Sequence, residues 1–178
     1  MNTNDVINFW FKDLTPEDWF KQSVATDSLI KTRFEDLLEA AKKGELFIWR
    51  ESALGRLAEI IILDQFSRNI YRGTPKAFEA DAIALVLAQE MVKQKFDLEL
   101  PIEMRSFAYM PYMHSESKLI HEEAVKLFSI KGLEYNLKFE IEHKEIIDRF
   151  GRYPHRNKIL GRASTEEEIA FLKTHAGF

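Results

Sequence analysis

The chain of 178 residues contains no cysteine. That excludes disulfides, thiolate metal sites and a thiol nucleophile, and it suits a reducing cytosol. Glycine and proline are sparse, 7 and 5 residues, and there is no low-complexity tract or block of like charge. No linker is therefore visible, and one domain over residues 1–178 is expected. The longest apolar run is Ala82–Ala88, far below the roughly 20 residues of a membrane span. The N-terminal stretch MNTNDVINFWFKD has neither a basic leader nor a long apolar segment. A cytoplasmic location with no membrane partner follows as the expectation. Positive charge is in deficit, with 25 Lys and Arg against 29 Asp and Glu, a net charge of −4 and a pI near 5.8. A general nucleic-acid backbone binder is thus disfavoured. No GxGxxG, Walker A or GxSxG motif occurs, and no cofactor is expected.

What is present is a globular complement of apolar residues, 46% of the chain, with 14 Phe and 3 Trp. The central stretch is Leu54–Gly73, LGRLAEIIILDQFSRNIYRG. Its periodicity predicts one helix from about Ala53 to Asn69. Leu54, Leu57, Ala58, Ile60, Ile61 and Ile62 fill one broad arc, and Asp64, Gln65 and Arg68 fall within it. Asp64 and Arg68 are four apart and share a face. A buried carboxylate and guanidinium must be paired and hydrogen-bonded, with each other or with something else.

The rest of the chain also reads as helix. Thr3 or Asn4 caps a short helix through Asn8–Phe11. Thr15-Pro16 opens another, with Trp19 and Phe20 inward. Thr26 or Asp27 opens a helix to Lys43, stopped at Gly44, and Phe47, Ile48 and Trp49 come next as a packed connector. Thr74-Pro75 opens a helix to about Lys93 that is apolar nearly all round and hence buried. Pro101 starts a helix that Pro111 interrupts or ends, leaving Met110–Glu116 as an irregular turn. Ser115 or Ser117 opens the next, Leu133–Phe150 comes after it and stops at Gly151, and Ser164–Glu168 caps a last helix. No alternating strand pattern survives. The class is all-α, with about eight or nine helices in antiparallel pairs.

The arginines Arg56, Arg68, Arg72, Arg149, Arg152, Arg156 and Arg162 fall in two windows. Converging with Asn69, His114, Glu116, His143, His155 and Asn157, they would form a polar, net-cationic cavity for a phosphate or carboxylate. Alternatively they tie helix ends and carbonyls together, and Asp64–Arg68 is a structural pair. His143, alone on an apolar face, is either a satisfied core residue or an acid–base group. His114, Glu116, His143 and His155 lack HExxH-type spacing, so no metal site is expected.

The segments Val6–Phe11 (VINFWF), Leu57–Phe78 (LAEIIILDQFSRNIYRGTPKAF), Tyr109–Glu116 (YMPYMHSE) and Ile146–Arg162 (IIDRFGRYPHRNKILGR) carry a resemblance. The chain is similar to the uncharacterised bacterial family called domain of unknown function 924, essentially end to end. Ser67 stands where the family usually shows Pro and His121 where Gln is expected, so His121 is not counted among the motif residues. The resemblance implies an all-helical fold like a tetratricopeptide-repeat αα-superhelix and no assigned reaction. The shared polar positions it implies are Asp64, Gln65, Arg68, Asn69, Arg72, His114, Glu116, His143, Arg149, Arg152, His155, Arg156 and Asn157.

The leading expectation is an interior pocket for a small anionic ligand. Asp64 and Arg68 form its floor, Arg72, Arg152 and Arg156 supply anion contacts, and Asp64, His143 and His155 are the candidate catalytic groups. A second expectation is an adaptor that binds a short peptide on a concave helical surface. A third is a metal-assisted hydrolase.

Overall fold

Side-chain caps set where most of the early helices begin. In the computed structural model, which describes residues 1–175, Asn2 opens α1 (Thr3–Asn8) with a capping box, and α1 runs into a π-helical turn at Phe9–Asp13. The last three residues of the expected domain lie outside the described ones. Thr15 opens α2 (Pro16–Phe20), and Ser23 opens α3 (Val24–Lys42). Ser52 opens α4 (Ala53–Ile61), which continues through a π-helical turn at Ile62–Phe66 into α5 (Ser67–Ile70). Beyond them come α6 (Asp81–Lys93), α7 (Ile102–Met113), α8 (Lys118–Phe128), α9 (Glu134–Phe150) and α10 (Glu166–Leu172). Short 3-10 turns at Phe47–Glu51, Pro75–Phe78, Phe96–Glu99 and Pro154–Arg156 join them. Counting α4 and α5 as one rod, the described residues hold nine helices and no strand, as the periodicity implies.

The α4–α5 rod is the centre. A β-carbon at Gly55 would lie 1.9 Å from the Trp49 carbonyl oxygen, so only glycine admits so close an approach. From Leu57 to Ser67 every residue of the rod is buried. It packs against α1, α3, α6 and α7, and α8 and α9 then layer beyond α7. Phe9, Trp10, Phe34, Phe66 and Phe107 interlock at its flank, with ring centroids 4.7–6.1 Å apart. A second, small apolar cluster of Ile146, Ile147 and Tyr153, backed by Phe150 and Phe171, lies under the C-terminal loop.

The expected single helix over Ala53–Asn69 is right in extent, but its periodicity does not announce the π turn. One extra residue per turn swings the later side chains by roughly 100°, and the turn contains Asp64 and Gln65. Several other expectations need correction. α7 does not stop at Pro111 but continues to Met113, because Ser106–Met113 is buried without a break and packing outweighs the lost N–H. The helix expected over Pro75–Lys93 is a 3-10 turn and then α6, and it is not buried all round: Ile83 and Val86 are exposed. Phe20, Phe47, Ile48 and Leu54 are exposed rather than packed. α3 is capped by Ser23 instead of Thr26 or Asp27, and Asp27 serves other partners. α1 is capped by Asn2. Gly151, at φ +69°, ends α9 where expected.

Candidate functional site

The π turn aims the Asp64 carboxylate into the interior, where it is 1% exposed. Oδ1 accepts from His114 Nδ1 at 2.7 Å and lies 3.2 Å from Arg68 Nη1; Oδ2 accepts from Gln65 Nε2 at 2.6 Å. Burial would raise the carboxyl, but His114 and Arg68 hold it well below the usual range. Arg68 donates to the Asp64 carbonyl at 2.8 Å and grips Asp81 through two bonds of 2.8 and 3.0 Å. Asp81, in the first turn of α6, also accepts from Arg156 Nη1 at 3.2 Å. Arg156 donates to the His114 carbonyl at 3.0 Å. Its guanidinium lies 4.6 Å over Phe78 and 4.7 Å over Tyr153. Arg156 Nε is buried without a hydrogen-bond partner among the described residues.

His114 caps the C-terminus of α7, which reaches it only because the helix runs through Pro111. An ionised carboxylate only accepts, so Nδ1 carries the proton toward Asp64. Burial and the Arg68 charge lower the imidazole, which keeps the ring neutral at neutral pH. Its Nε2 makes no hydrogen bond among the described residues.

Phe78, Asp81, His114 and Arg156 border a cleft of about 460 Å³, a size that suits a small metabolite, whereas Asp64 and Arg68, its expected floor, lie behind them and do not line it. Pro75, Phe78, Ala82, Leu85, Pro111 and Leu160 form its apolar lining; Glu79, Asp81, His114, Ser115, Glu116 and Arg156 form its polar lining. The expected net-cationic cavity is not what the charges make. Three carboxylates line the cleft beside one guanidinium, because six of the seven arginines meet acids. Those carboxylates are themselves occupied. Asp81 serves two arginines, Glu116 takes Arg162 bidentately at 2.6 and 2.9 Å, and Glu79 lies 3.6 Å from Lys42.

The two sequence windows therefore meet, through Arg68, Asp81, Arg156 and His114, but not every predicted residue reaches the cleft. Asn69 and Arg72 bind Asp27 of α3, with Arg72 bonds of 2.6 and 2.9 Å. Arg149 pairs with Glu167 at 2.7 Å, and Arg152 with Glu168 at 2.7 and 2.8 Å. Asn157 bonds Ser164 and Arg162. These contacts tie helices and loops together. Of the candidate catalytic groups, Asp64 sits beneath His114. His143 donates Nδ1–H to the Phe139 carbonyl at 2.7 Å, and its ring, like that of His155, packs on Tyr153. Burial brings these imidazoles down to about 3 and about 4. Neither lines the cleft. Gln65 and Glu116 act as braces, Glu116 also accepting the Tyr153 N–H at 2.7 Å. Arg162 and Arg152 hold the same loop.

Sequence reasoning missed Asp81, whose position at a helix start reads as a routine first-turn acid. It also set aside His121. That residue is fully buried, 2.7 Å from Glu140 and 2.8 Å from the Ser115 carbonyl, with the Tyr153 hydroxyl at 3.1 Å. Among the described residues, no group of three or more metal-ligating side chains is placed to hold an ion. No described helix is long and apolar enough to cross a membrane.

A sequence model described as a bacterial protein of unknown function, DUF924, matches residues 6–176. A solved structure of a protein of unknown function from Agrobacterium tumefaciens is similar at 36% identity over 97% of each chain, with a TM-score of 0.93. No curated protein matches.

Proposed function

Since the chain belongs to the DUF924 family of bacterial proteins, which brings a fold and no reaction, we propose a function from the cleft itself: it binds a small carboxylate-bearing molecule with an apolar body. The observation that carries this reading is Arg156. Its side chain is 8% exposed, shares Asp81 with Arg68 and keeps one N–H without an acceptor among the described residues. Two guanidiniums that share one carboxylate are under-compensated, and an anion in the cleft that Arg156 lines would offset the remaining charge. The apolar walls accept a hydrocarbon body, and the nearby acids disfavour a multiply charged phosphate relative to a monocarboxylate.

Titration with straight-chain monocarboxylates, read by thermal shift and calorimetry, tests this. Affinity should rise about fourfold per added methylene, from roughly 0.8 kcal/mol per buried CH₂. Arg156→Gln should weaken binding by at least about tenfold, the equivalent of one charge-assisted hydrogen bond. Equal affinity for inorganic phosphate, or no dependence on chain length, would count against it. The adaptor alternative is less well supported. It requires the shared polar residues on an open wall, whereas Asp64, Gln65, His143, Arg156 and Asn157 are all buried.

A further inference from the structure

Two residues that line the cleft are incompletely served, one in charge and one in hydrogen bonding. Among the described residues, Arg156 shares its one carboxylate, Asp81, with Arg68, and His114 has a spare acceptor at Nε2. The two residues are directly joined, since Arg156 donates to the His114 carbonyl at 3.0 Å. His114 is held on its other side by Asp64 at 2.7 Å, and Asp64 is fixed in turn by Gln65 at 2.6 Å and by Arg68. An imidazole whose Nδ1–H is locked by a buried carboxylate, and whose Nε2 lone pair is left open at a cleft, is arranged as a general base. A merely structural histidine has no need of the open face. His121 in this chain shows the contrast, with both ring nitrogens engaged and no exposure.

Resting on the binding reading above, we propose that the cleft is catalytic: His114 is the general base that activates water for hydrolysis of a small carboxylate-bearing ester, and Asp64 is its positioning residue. The substrate carboxylate sits on Arg156, which places the ester carbonyl near His114. Nε2 takes a proton from water, and the oxygen of that water forms a bond to the acyl carbon. As the tetrahedral intermediate collapses, the acyl–oxygen bond breaks and the imidazolium returns its proton to the leaving alkoxide. One water is consumed, an acid and an alcohol are released, and no oxidant, reductant or co-reactant is required. Burial and Arg68 keep His114 unprotonated near neutrality, so the base is ready without a prior titration.

The full-length protein is assayed with the mono-p-nitrophenyl ester of succinate, and succinate binding is measured on the same preparations. The wild type should hydrolyse the ester above buffer. His114→Gln, which can still donate to Asp64, should lose on the order of 10²-fold of that rate with its melting temperature kept. Asp64→Asn should slow the reaction and move the inflection of the pH–rate profile to lower pH, because it removes the charge that favours imidazolium. A structural role alone would not move that inflection. Carbethoxylation of wild-type His114 by diethyl pyrocarbonate, mapped by peptide mass spectrometry, should abolish the rate, and succinate should protect against it. This arm needs no variant to fold. If succinate binds but the wild type is no faster than His114→Gln, the general-base inference is overturned and the binding reading stands. If neither succinate binding nor hydrolysis occurs, both fall.

Discussion

The aromatic core beside the α4–α5 rod and the polar core around Tyr153 bury side chains by opposite means. In the first, Phe66 meets Phe34, Trp10 and Phe9 at 4.7, 5.6 and 6.1 Å, and no ion pair is needed. In the second, three buried apolar residues are surrounded by charge: Glu116 with Arg162, Arg152 with Glu168, and His121 with Glu140. Apolar burial is non-directional and insensitive to pH. A buried polar network must instead be complete, because each lost partner strands another group. The cleft lies between α6, the C-terminus of α7 and the loop of the second region, so its geometry depends on that completeness.

The contrast is open to disruption from each side. The largest effect is expected from Phe66→Ala, which should cost about 3–5 kcal/mol by leaving a cavity. That cost, read by denaturant titration, should be the same at pH 8 and pH 6. Glu116→Gln should cost less, about 2 kcal/mol, because it leaves Arg162 without its acid at a site one quarter exposed. Its signature should be a cleft that binds carboxylate less well despite having lost a negative charge, since the single amide oxygen of Gln cannot serve both Arg162 and the Tyr153 N–H as the carboxylate does. A Glu116→Gln protein as stable as wild type with tighter binding would show that the network does not support the cleft.

A smaller effect separates the two regions by pH. His143 and His155 titrate near 3 and 4 when folded, and near 6.5 when unfolded. Between those values the unfolded chain binds more protons, so stability is complete above about pH 6.5 and falls as pH drops below it. Glu168, held near 2 by Arg152 against an ordinary 4.5, extends the loss to lower pH. Glu116 and Asp64, also held low, act in the same sense. Thermal melts from pH 8 to pH 5 should show this decline, and His143→Gln should flatten it. A flat profile in the wild type would contradict the burial of these imidazoles.

The two regions also differ in how much of them can be read from the sequence. Apolar spacing is a local signal, and it correctly marks the helices, the buried Leu57–Ile62 arc and the Gly151 stop. It fails where tertiary packing overrides local rules, as at Pro111, and where an apolar helix face is left toward solvent, as at Val86. The polar site is legible as a set of residue types but not as a set of partners. Asp64, Arg68, His114 and Arg156 stand out in the sequence, yet Asp81 and Asp27, which decide the charge of the site and which arginines reach it, lie outside the two arginine windows. An ion pair between residues 75 positions apart, such as Asp81 with Arg156, leaves no periodic trace. The π turn that carries Asp64 leaves none either.

The central claim is that Arg156 stands ready for an incoming carboxylate, and side-chain NMR reports on it directly. In ¹H–¹⁵N spectra of the arginine Nε–H groups, titration with butyrate should move the Arg156 resonance to a saturating end point. Arg149 and Arg152, already paired with Glu167 and Glu168, should stay in place. An unmoved Arg156 resonance, or an equal drift of every arginine with ionic strength, would contradict it.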